Sequence, residues 1–289
     1  MKLEDLKDYK LVWADEFDGN ELDPKKWCFF PMMGRSKRPD GSLVYDLASD
    51  EKVIKVDDGT LKLNVYYDYE RGTFVGPISP STKDSMSFTY GYVEMRARVP
   101  YTHGSWASFW TLGRDAIGQD KTIPYFSEID IFEINGTTHC AVPCLHKWHT
   151  DPAFQEKGRP NNDSFAGSIL LGKGHPDNRY ARITPEDTVG YNIYGFLWTP
   201  EKIEFYLNGR LYAHFNIVEN YGRDSGMKGF HTPQYFILNN YLLVYSQSQA
   251  RPVSIHATPG DVATQIPYEI DYIRLYQKDG EGELNLAQE

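Results

Sequence analysis

Three carboxylates lie within six residues of the segment SEIDIFEINGTT, residues 127–138. Glu128 and Asp130 keep the two-residue period of a β-strand and share one face, whereas Glu133 departs from that period by one residue. A β-bulge at Ile131–Phe132 would pack both apolar side chains inward and return Glu133 to the face of Glu128. Paired carboxylates suit glycoside hydrolysis, in which one attacks the anomeric carbon and the other protonates the leaving oxygen.

The same crowding gives Asp130 a role beside Glu128, because neighbouring acids share a proton or a hydrogen bond. Crowding raises the pKa of at least one of them, which keeps a proton donor available near neutral pH. The alternative is a solvated strand whose acidic outer face blocks edge-to-edge aggregation. The nearby segment GSWASFWTL, with Trp106 and Trp110, favours a site over a solvated face.

The elements that must hold these acids are short strands separated by Gly, Asp, Asn and Pro. YGYVEMRARVP (90–100) alternates apolar and polar residues, and KIEFYLNGRLYAHFN (202–216) places two strands around Asn208–Gly209, a type I′ hairpin signal. Long helical periodicity is absent and strands recur to both ends. The pattern predicts an all-β sandwich in a single domain over residues 1–289, with a core of about 9–278.

Composition excludes several classes of function. The chain of 289 residues has a formal net charge of −10 and a pI of about 5.3, with no basic run that would indicate nucleic-acid binding. It has no apolar run of membrane-spanning length, and its three cysteines provide no disulfide framework. The start, MKLEDLKDYKLVW, lacks an apolar signal region. We expect a secreted or cell-surface protein whose signal is absent from this sequence, with the cytoplasm as the alternative.

Several segments together resemble one enzyme family. EIDIFE resembles the active-site signature of glycoside hydrolase family 16 in its bulged form, E-x-D-x-x-E. Further segments resemble the family in its order, namely LVWADEFDGNELDPKKW (11–27), FTYGYVEMRARVP (88–100), GSWASFWTLG (104–113), YNIYGFLWTPEKIEFYLNGRLY (191–212) and PYEIDYIRLYQ (267–277). The resemblance implies a jelly-roll β-sandwich of two antiparallel sheets with a concave cleft. It also implies retaining, endo-acting hydrolysis of a β-linked polysaccharide, with Glu128 as nucleophile, Glu133 as general acid/base and Asp130 as the assisting acid.

The resemblance further implies contacts with the sugar. Trp106 and Trp110 lie four apart on a strand and would stack on sugars in the cleft, although core packing is the alternative for each. The remaining candidates are His146 beside the acids, Trp148 after the intervening Lys147, and Asn239 on a cleft strand. Arg96 is also a candidate; it lies opposite the apolar face of its strand and so points either to the cleft or to solvent.

A structural calcium ion is the one cofactor that the resemblance suggests, and catalysis needs none. Glu16, Gly59 and Asp271 match positions where many family members hold calcium, a hard cation that prefers oxygen ligands. Cysteines and histidines also cluster around His146, but their spacing matches no standard zinc pattern, and we expect no metal there.

The residues leave the polysaccharide open. A β-1,3-glucan or mixed-linkage glucan is the first expectation, since net acidity suits a neutral polymer. However, Ser127, Phe132 and the sequence WASFW depart from the usual glucanase pattern, and the segments YGYVE and SFW resemble the galactan-cutting members. An endo-β-galactanase or endo-β-galactosidase is therefore the alternative, and a non-catalytic carbohydrate-binding sandwich is a third reading. We expect a monomer.

Overall fold

A computed structural model describes residues 6–30, 52–70, 72–76, 79–102, 105–113, 125–135, 140–149, 162–166, 179–180, 189–218, 227–242, 244–245, 252–253 and 263–287. Within these ranges the chain is almost entirely β-strand, and the one helical element is a 3-10 turn at Lys228–His231. Among the described residues no helix is long and apolar enough to cross a membrane.

The strands follow one another along the whole described chain. In chain order they are β1 (Tyr9–Asp15), β2 (Cys28–Phe30), β3 (Ile54–Asp57), β4 (Thr60–Asp68), β5 (Thr73–Val75), β6 (Ser79–Ser81), β7 (Met86–Thr89), β8 (Gly91–Arg98), β9 (Ser105–Gly113), β10 (Tyr125–Asn135), β11 (Cys140–His149), β12 (Asn162–Ala166), β13 (Arg179–Tyr180), β14 (Asn192–Trp198), β15 (Lys202–Leu207), β16 (Arg210–Asn216), β17 (Gln234–Leu242), β18 (Val244–Tyr245), β19 (Pro252–Val253), β20 (Gln265–Lys278) and β21 (Glu283–Leu286).

Two large antiparallel sheets contain nearly all of these strands, which confirms the predicted all-β sandwich. The first sheet runs β13-β16-β15-β14-β8-β20-β4-β3, with β1 added on β20 and β5 on β4. The second sheet runs β12-β11-β10-β9-β17-β6-β2, with β7 paired to β17 and β21. The extent of the domain over the whole chain stays a prediction.

The core lies between the sheets because alternate residues of each strand face inward. In β8 the side chains of Val93, Met95 and Ala97 are fully buried, as the alternation predicts. From the second sheet, Phe132 reaches across to the first, with its ring centre 4.3 Å from that of Tyr194. Burying a side chain of this size contributes about 2–3 kcal/mol, so such contacts hold the sheets together.

The predicted bulge in β10 is present. On the β11 side Asp130 pairs with Cys144 and the next pair is Glu133 with Val142, so two residues of β10 oppose one of β11. Those two, Ile131 and Phe132, are both buried in the core.

The predicted hairpin is also present. Asn208 and Gly209 join β15 to β16 with φ of 50° and 78°, the positive values that a type I′ turn requires. The Asn208 side chain accepts a hydrogen bond from the backbone N–H of Ile193 at 2.9 Å, which ties the turn to β14.

Candidate active site

The three predicted acids meet in a cavity of about 330 Å³ on the second sheet. Glu128, Asp130 and Glu133 line the cavity from β10, because the bulge restores Glu133 to the face of the other two. The remaining lining is largely aromatic and includes four predicted substrate contacts, namely Trp106, Trp110, Trp148 and Asn239.

Two indole groups hold the two glutamates from opposite sides. Trp106 of β9 donates a hydrogen bond from Nε1 to Glu133 Oε1 at 2.9 Å. Trp148 of β11 donates from Nε1 to Glu128 Oε2 at 2.6 Å. Because each bond fixes the direction of its carboxyl group, these tryptophans position the acids as well as line the cavity.

His146 lies beside the pair formed by Glu128 and Asp130. Its Nε2 atom is 2.9 Å from Asp130 Oδ2 and 3.8 Å from Glu128 Oε1. The register of β10 and β11 explains the placement, because Glu128 pairs directly with His146. The sequence therefore predicted correctly that His146 lies near the acids.

The electrostatics of Glu128 and Asp130 are those of a coupled, buried pair. Burial raises the pKa of Glu128, and the charge of Asp130 raises it further, while His146 and the Trp148 hydrogen bond act in the opposite direction. Burial likewise raises the pKa of Asp130, against a hydrogen bond with Glu128 that lowers it. Two adjacent buried carboxylates cannot both ionise readily, so the pair retains a proton near neutral pH.

Lys147 explains how His146 and Trp148 come to share a face. The Lys147 side chain is fully buried on the opposite face, and its Nζ lies 5.0 Å from the ring centre of Tyr125. The strand period therefore places the two flanking residues together, and their rings stack with centroids 6.0 Å apart.

Trp110 and Asn239 form part of the floor of the cavity. Trp110 is 7% exposed and donates a hydrogen bond from Nε1 to Asn239 Oδ1 at 2.6 Å. Asn239 in turn donates to Ser108 Oγ at 3.1 Å. Trp110 thus combines the two predicted alternatives, since it lines the cavity and is also largely buried.

The placement of Arg96 in the cleft is wrong. Arg96 lies on β8 of the first sheet, whereas the residues that line the cavity come from the second. Its strand neighbours Met95 and Ala97 face the core, so Arg96 points away from it. There it forms an ion pair with Asp271 and lies over the ring of Tyr191, 4.6 Å from the ring centre.

The residues predicted to hold calcium do not fit that ion as they are arranged. Both carboxylate oxygens of Glu16 accept hydrogen bonds from Arg274 at 2.7 Å, and this interaction lowers the pKa of Glu16. Asp271 is paired with Arg96. Gly59 occupies the tight turn between β3 and β4, with φ of 66°. Arginine therefore already neutralises both of the anionic donors.

Sequence reasoning missed Phe126 beside the acids, and it also missed the pairing of Cys144 with Asp130. Phe126 stacks on Trp148, with ring centroids 6.2 Å apart and planes at 14°. It lies two residues before Glu128, so the strand period alone would have found it. Cys144 pairs with Asp130 in the β10–β11 register, which no sequence spacing reveals.

Comparisons with known proteins identify the family and agree with the fold. The sequence model described as "Glycosyl hydrolases family 16" matches residues 43–239. A glucan endo-1,3-beta-glucosidase A1 of Niallia circulans is 25% identical over 297 residues, covering 93% of this chain and 38% of the relative. A keratan-sulfate endo-1,4-beta-galactosidase of Sphingobacterium multivorum is 24% identical and covers 93% of this chain, which spans 56% of that relative.

A solved structure, the laminarinase from Rhodothermus marinus, shares the fold. It superposes with a TM-score of 0.66 at 23% identity, covering 93% of this chain and 97% of that one. The family match covers more than half of the chain and contains all three acids of the bulged strand. The chain therefore belongs to glycosyl hydrolases family 16.

Proposed function

We propose that this protein hydrolyses a β-linked polysaccharide at internal positions with retention of configuration, and that its substrate is β-1,3-glucan or mixed-linkage glucan. The observation that carries the proposal is the bulged strand, which presents Glu128 and Glu133 in one cavity, each bound by an indole N–H. A binding module has no need of two oriented carboxylates with a third acid between them.

The reaction follows from what each acid can do. Glu128 attacks the anomeric carbon while Glu133 gives its proton to the leaving glycosidic oxygen, which forms a covalent glycosyl-enzyme. Glu133 then takes a proton from water, and that water displaces Glu128 from the anomeric carbon. Asp130 and Glu128 share one proton, and Glu128 acts as the nucleophile in the form in which it carries the negative charge.

The lining of the cavity favours a neutral glucan. Apart from the acids, the described residues that line it are uncharged, and six of them are aromatic: Phe30, Trp106, Trp110, Phe126, Trp148 and Tyr241. Aromatic faces suit the apolar faces of pyranose rings, whereas sulfate groups would meet only negative charge there. Two of the relatives, from Niallia circulans and Rhodothermus marinus, carry names that refer to β-glucans or laminarin.

A second candidate is endo-β-galactosidase or endo-β-galactanase activity. The similarity to a keratan-sulfate endo-1,4-beta-galactosidase favours it, as do Ser127 and Phe132, which depart from the glucanase pattern. Both candidates use the same acids and differ in the sugar that the cleft accepts. A monomeric state and a location outside the cell remain predictions.

A panel of polymers tests the proposal. Laminarin, lichenan, agarose, porphyran, carrageenan and mucin glycans are incubated with the wild type and with Glu128→Gln, and new reducing ends are measured. We expect reducing ends from laminarin or lichenan with the wild type alone, and a β-anomer as the first product by NMR. An initial α-anomer would contradict retention, and binding without cleavage of any polymer would contradict catalysis.

A further inference from the structure

Three chemically different metal ligands converge next to the catalytic pair. Asp130, Cys144 and His146 each offer one ligand atom, and these atoms all lie within 4.8 Å of one another. Within the part of the chain that the structure describes, this is the one such group of three or more His, Cys, Asp or Glu side chains. It differs from the set of cysteines and histidines considered from the sequence, because Asp130 comes from the neighbouring strand.

Strand geometry brings the three together. Asp130 and Cys144 are directly paired in the register of β10 and β11, so their side chains lie on the same face. Cys144 and His146 are two residues apart on β11 and share that face as well. The ligand atoms are therefore held by paired backbone in the second sheet.

We propose that Asp130, Cys144 and His146 form a binding site for a thiophilic divalent cation such as Zn²⁺ or Co²⁺, and that the bound ion inhibits the enzyme. Thiolate, imidazole and carboxylate are the three ligand types that zinc takes in proteins. Calcium and magnesium prefer oxygen ligands throughout, so the donor set selects against them. Three protein ligands would leave a fourth coordination position open, and the nearby Glu128 has its Oε1 atom 3.8 Å from His146 Nε2.

An oxygen without a well-formed hydrogen bond supports the site. Asp130 is 2% exposed, and its Oδ2 atom is buried without a hydrogen bond of good geometry. His146 Nε2 lies 2.9 Å from this oxygen, but the contact is an electrostatic one and is poorly aligned for hydrogen bonding. A buried acceptor of this kind has a lone pair available, and a cation would satisfy it.

Metal binding should release protons from the ligands, and this release can be measured. Cys144 must lose its thiol proton and His146 must be neutral before either can ligate, and Asp130 must give up the proton that it shares with Glu128. Metal affinity therefore rises with pH. Inhibition rests on the proposed function, because it requires that Glu128 be the nucleophile, whereas metal binding itself does not.

Cobalt absorption tests the site without any assay of activity. The full-length protein is dialysed against EDTA, freed of chelator and titrated with CoCl₂, and thiolate-to-cobalt charge transfer is followed in the near ultraviolet. We expect a saturable band in the wild type and in Cys28→Ser, since Cys28 lies on β2 with its thiol directed to the Ser81 carbonyl. The band should be absent in Cys144→Ser and in Cys144→Ala, with native circular dichroism as the check on folding.

Zinc inhibition gives the second readout. We expect ZnCl₂ to inhibit the wild type reversibly, with recovery on adding EDTA, and the inhibitory concentration to rise at least about tenfold in Cys144→Ser. A cobalt band that survives in both Cys144 variants, or no band in the wild type, would overturn the site. If the band depends on Cys144 but no polymer is cleaved, the metal site stands and the proposed function fails. If polymers are cleaved without a cobalt band, the proposed function stands and the metal site fails.

Discussion

At the residue scale, the two glutamates that we propose as catalytic differ in what surrounds them. Glu128 is bound by Trp148 and lies against Asp130 and His146, whereas Glu133 is bound by Trp106. The first environment contains a second acid and an imidazole, and the second contains an indole that directs the carboxyl group. The two acids to which we assign different roles therefore have different electrostatic surroundings.

Replacing Trp148 by Phe should slow catalysis by orienting Glu128 less well. The lost hydrogen bond to a charged group is worth about 1.5–3 kcal/mol, which corresponds to a fall of about 10- to 100-fold in kcat/KM. We expect most of the fall in kcat, measured by initial rates on laminarin. Trp110→Phe is the matched control, because its indole binds Asn239 and no carboxylate. A rise in KM alone for Trp148→Phe would indicate sugar stacking without positioning.

The raised pKa values also predict how stability depends on pH. Burial raises the pKa of Glu128 and Asp130 to about 8, above the ordinary value near 4 of an unfolded carboxyl. The folded state then binds more protons than the unfolded state between about pH 4 and 8, so the free energy of unfolding falls as pH rises through that window.

Asp130→Asn should make the free energy of unfolding depend less on pH, because the uncharged amide removes one of the two paired carboxyl groups. Urea unfolding at pH 5 and pH 8 measures the effect, and the stabilisation relative to wild type should be larger at pH 8. Glu16→Gln provides a control of opposite sign, since Arg274 lowers the pKa of Glu16, whose contribution is lost as pH falls. An equal effect of Asp130→Asn at both pH values would contradict the shared proton.

At the scale of elements, the bulge in β10 determines both how Ile131 and Phe132 pack in the core and where Glu133 points. Phe132 is one of the two bulge residues, and its side chain points into the core. Its ring contacts Phe109, Tyr194 and Tyr268 at centroid distances of 6.3, 4.3 and 6.3 Å. Two of these rings belong to the first sheet, so the bulge is held from across the core. Glu133 takes its direction from the same backbone distortion.

Truncating Phe132 should therefore lower the free energy of unfolding, and it should also lower activity because the bulge directs Glu133. We expect Phe132→Ala to lower the free energy of unfolding by about 3–5 kcal/mol, because it leaves a cavity between the sheets. Phe132→Met, which nearly conserves volume, should cost less than about 1.5 kcal/mol and keep activity. Urea unfolding measures both variants. A loss in Phe132→Met as large as that in Phe132→Ala would mean that the aromatic ring itself, and not filled volume, holds the bulge.

Periodicity within single strands was enough to predict much of the site. It could not predict which strands pair when they are far apart in sequence. The bulge and the shared face of His146 and Trp148 follow from counting residues along β10 and β11. Alternation also placed Arg96 on the non-core face of β8, but the sheet to which β8 belongs depends on partners far away in sequence. Its ion-pair partner Asp271 is 175 residues distant, and Arg274 is 258 residues from Glu16.

At the scale of the whole molecule, β1 and β20 connect the two ends of the described chain. Tyr9 to Asp15 pairs with residues 273–278, and the Glu16–Arg274 ion pair continues that junction beyond the strand. This pairing adds β1 to the first sheet, whereas the residues that line the cavity belong to the second sheet. The cavity and the pairing of β1 with β20 consequently lie on different sheets.

The charge of the whole molecule predicts which polymers it accepts. With a net charge of −10 and three acids in the cavity, the protein repels polyanions over distances of about a Debye length, ~10 Å at 0.1 M salt. We expect kcat/KM on a neutral glucan to change little between low and high NaCl. Carrageenan should not inhibit that reaction at low salt, whereas agarose, an unsulfated galactan, serves as the control for sugar identity. Strong inhibition by carrageenan that weakens as salt rises would reveal a basic surface near the cleft, and would move the substrate toward the sulfated galactans.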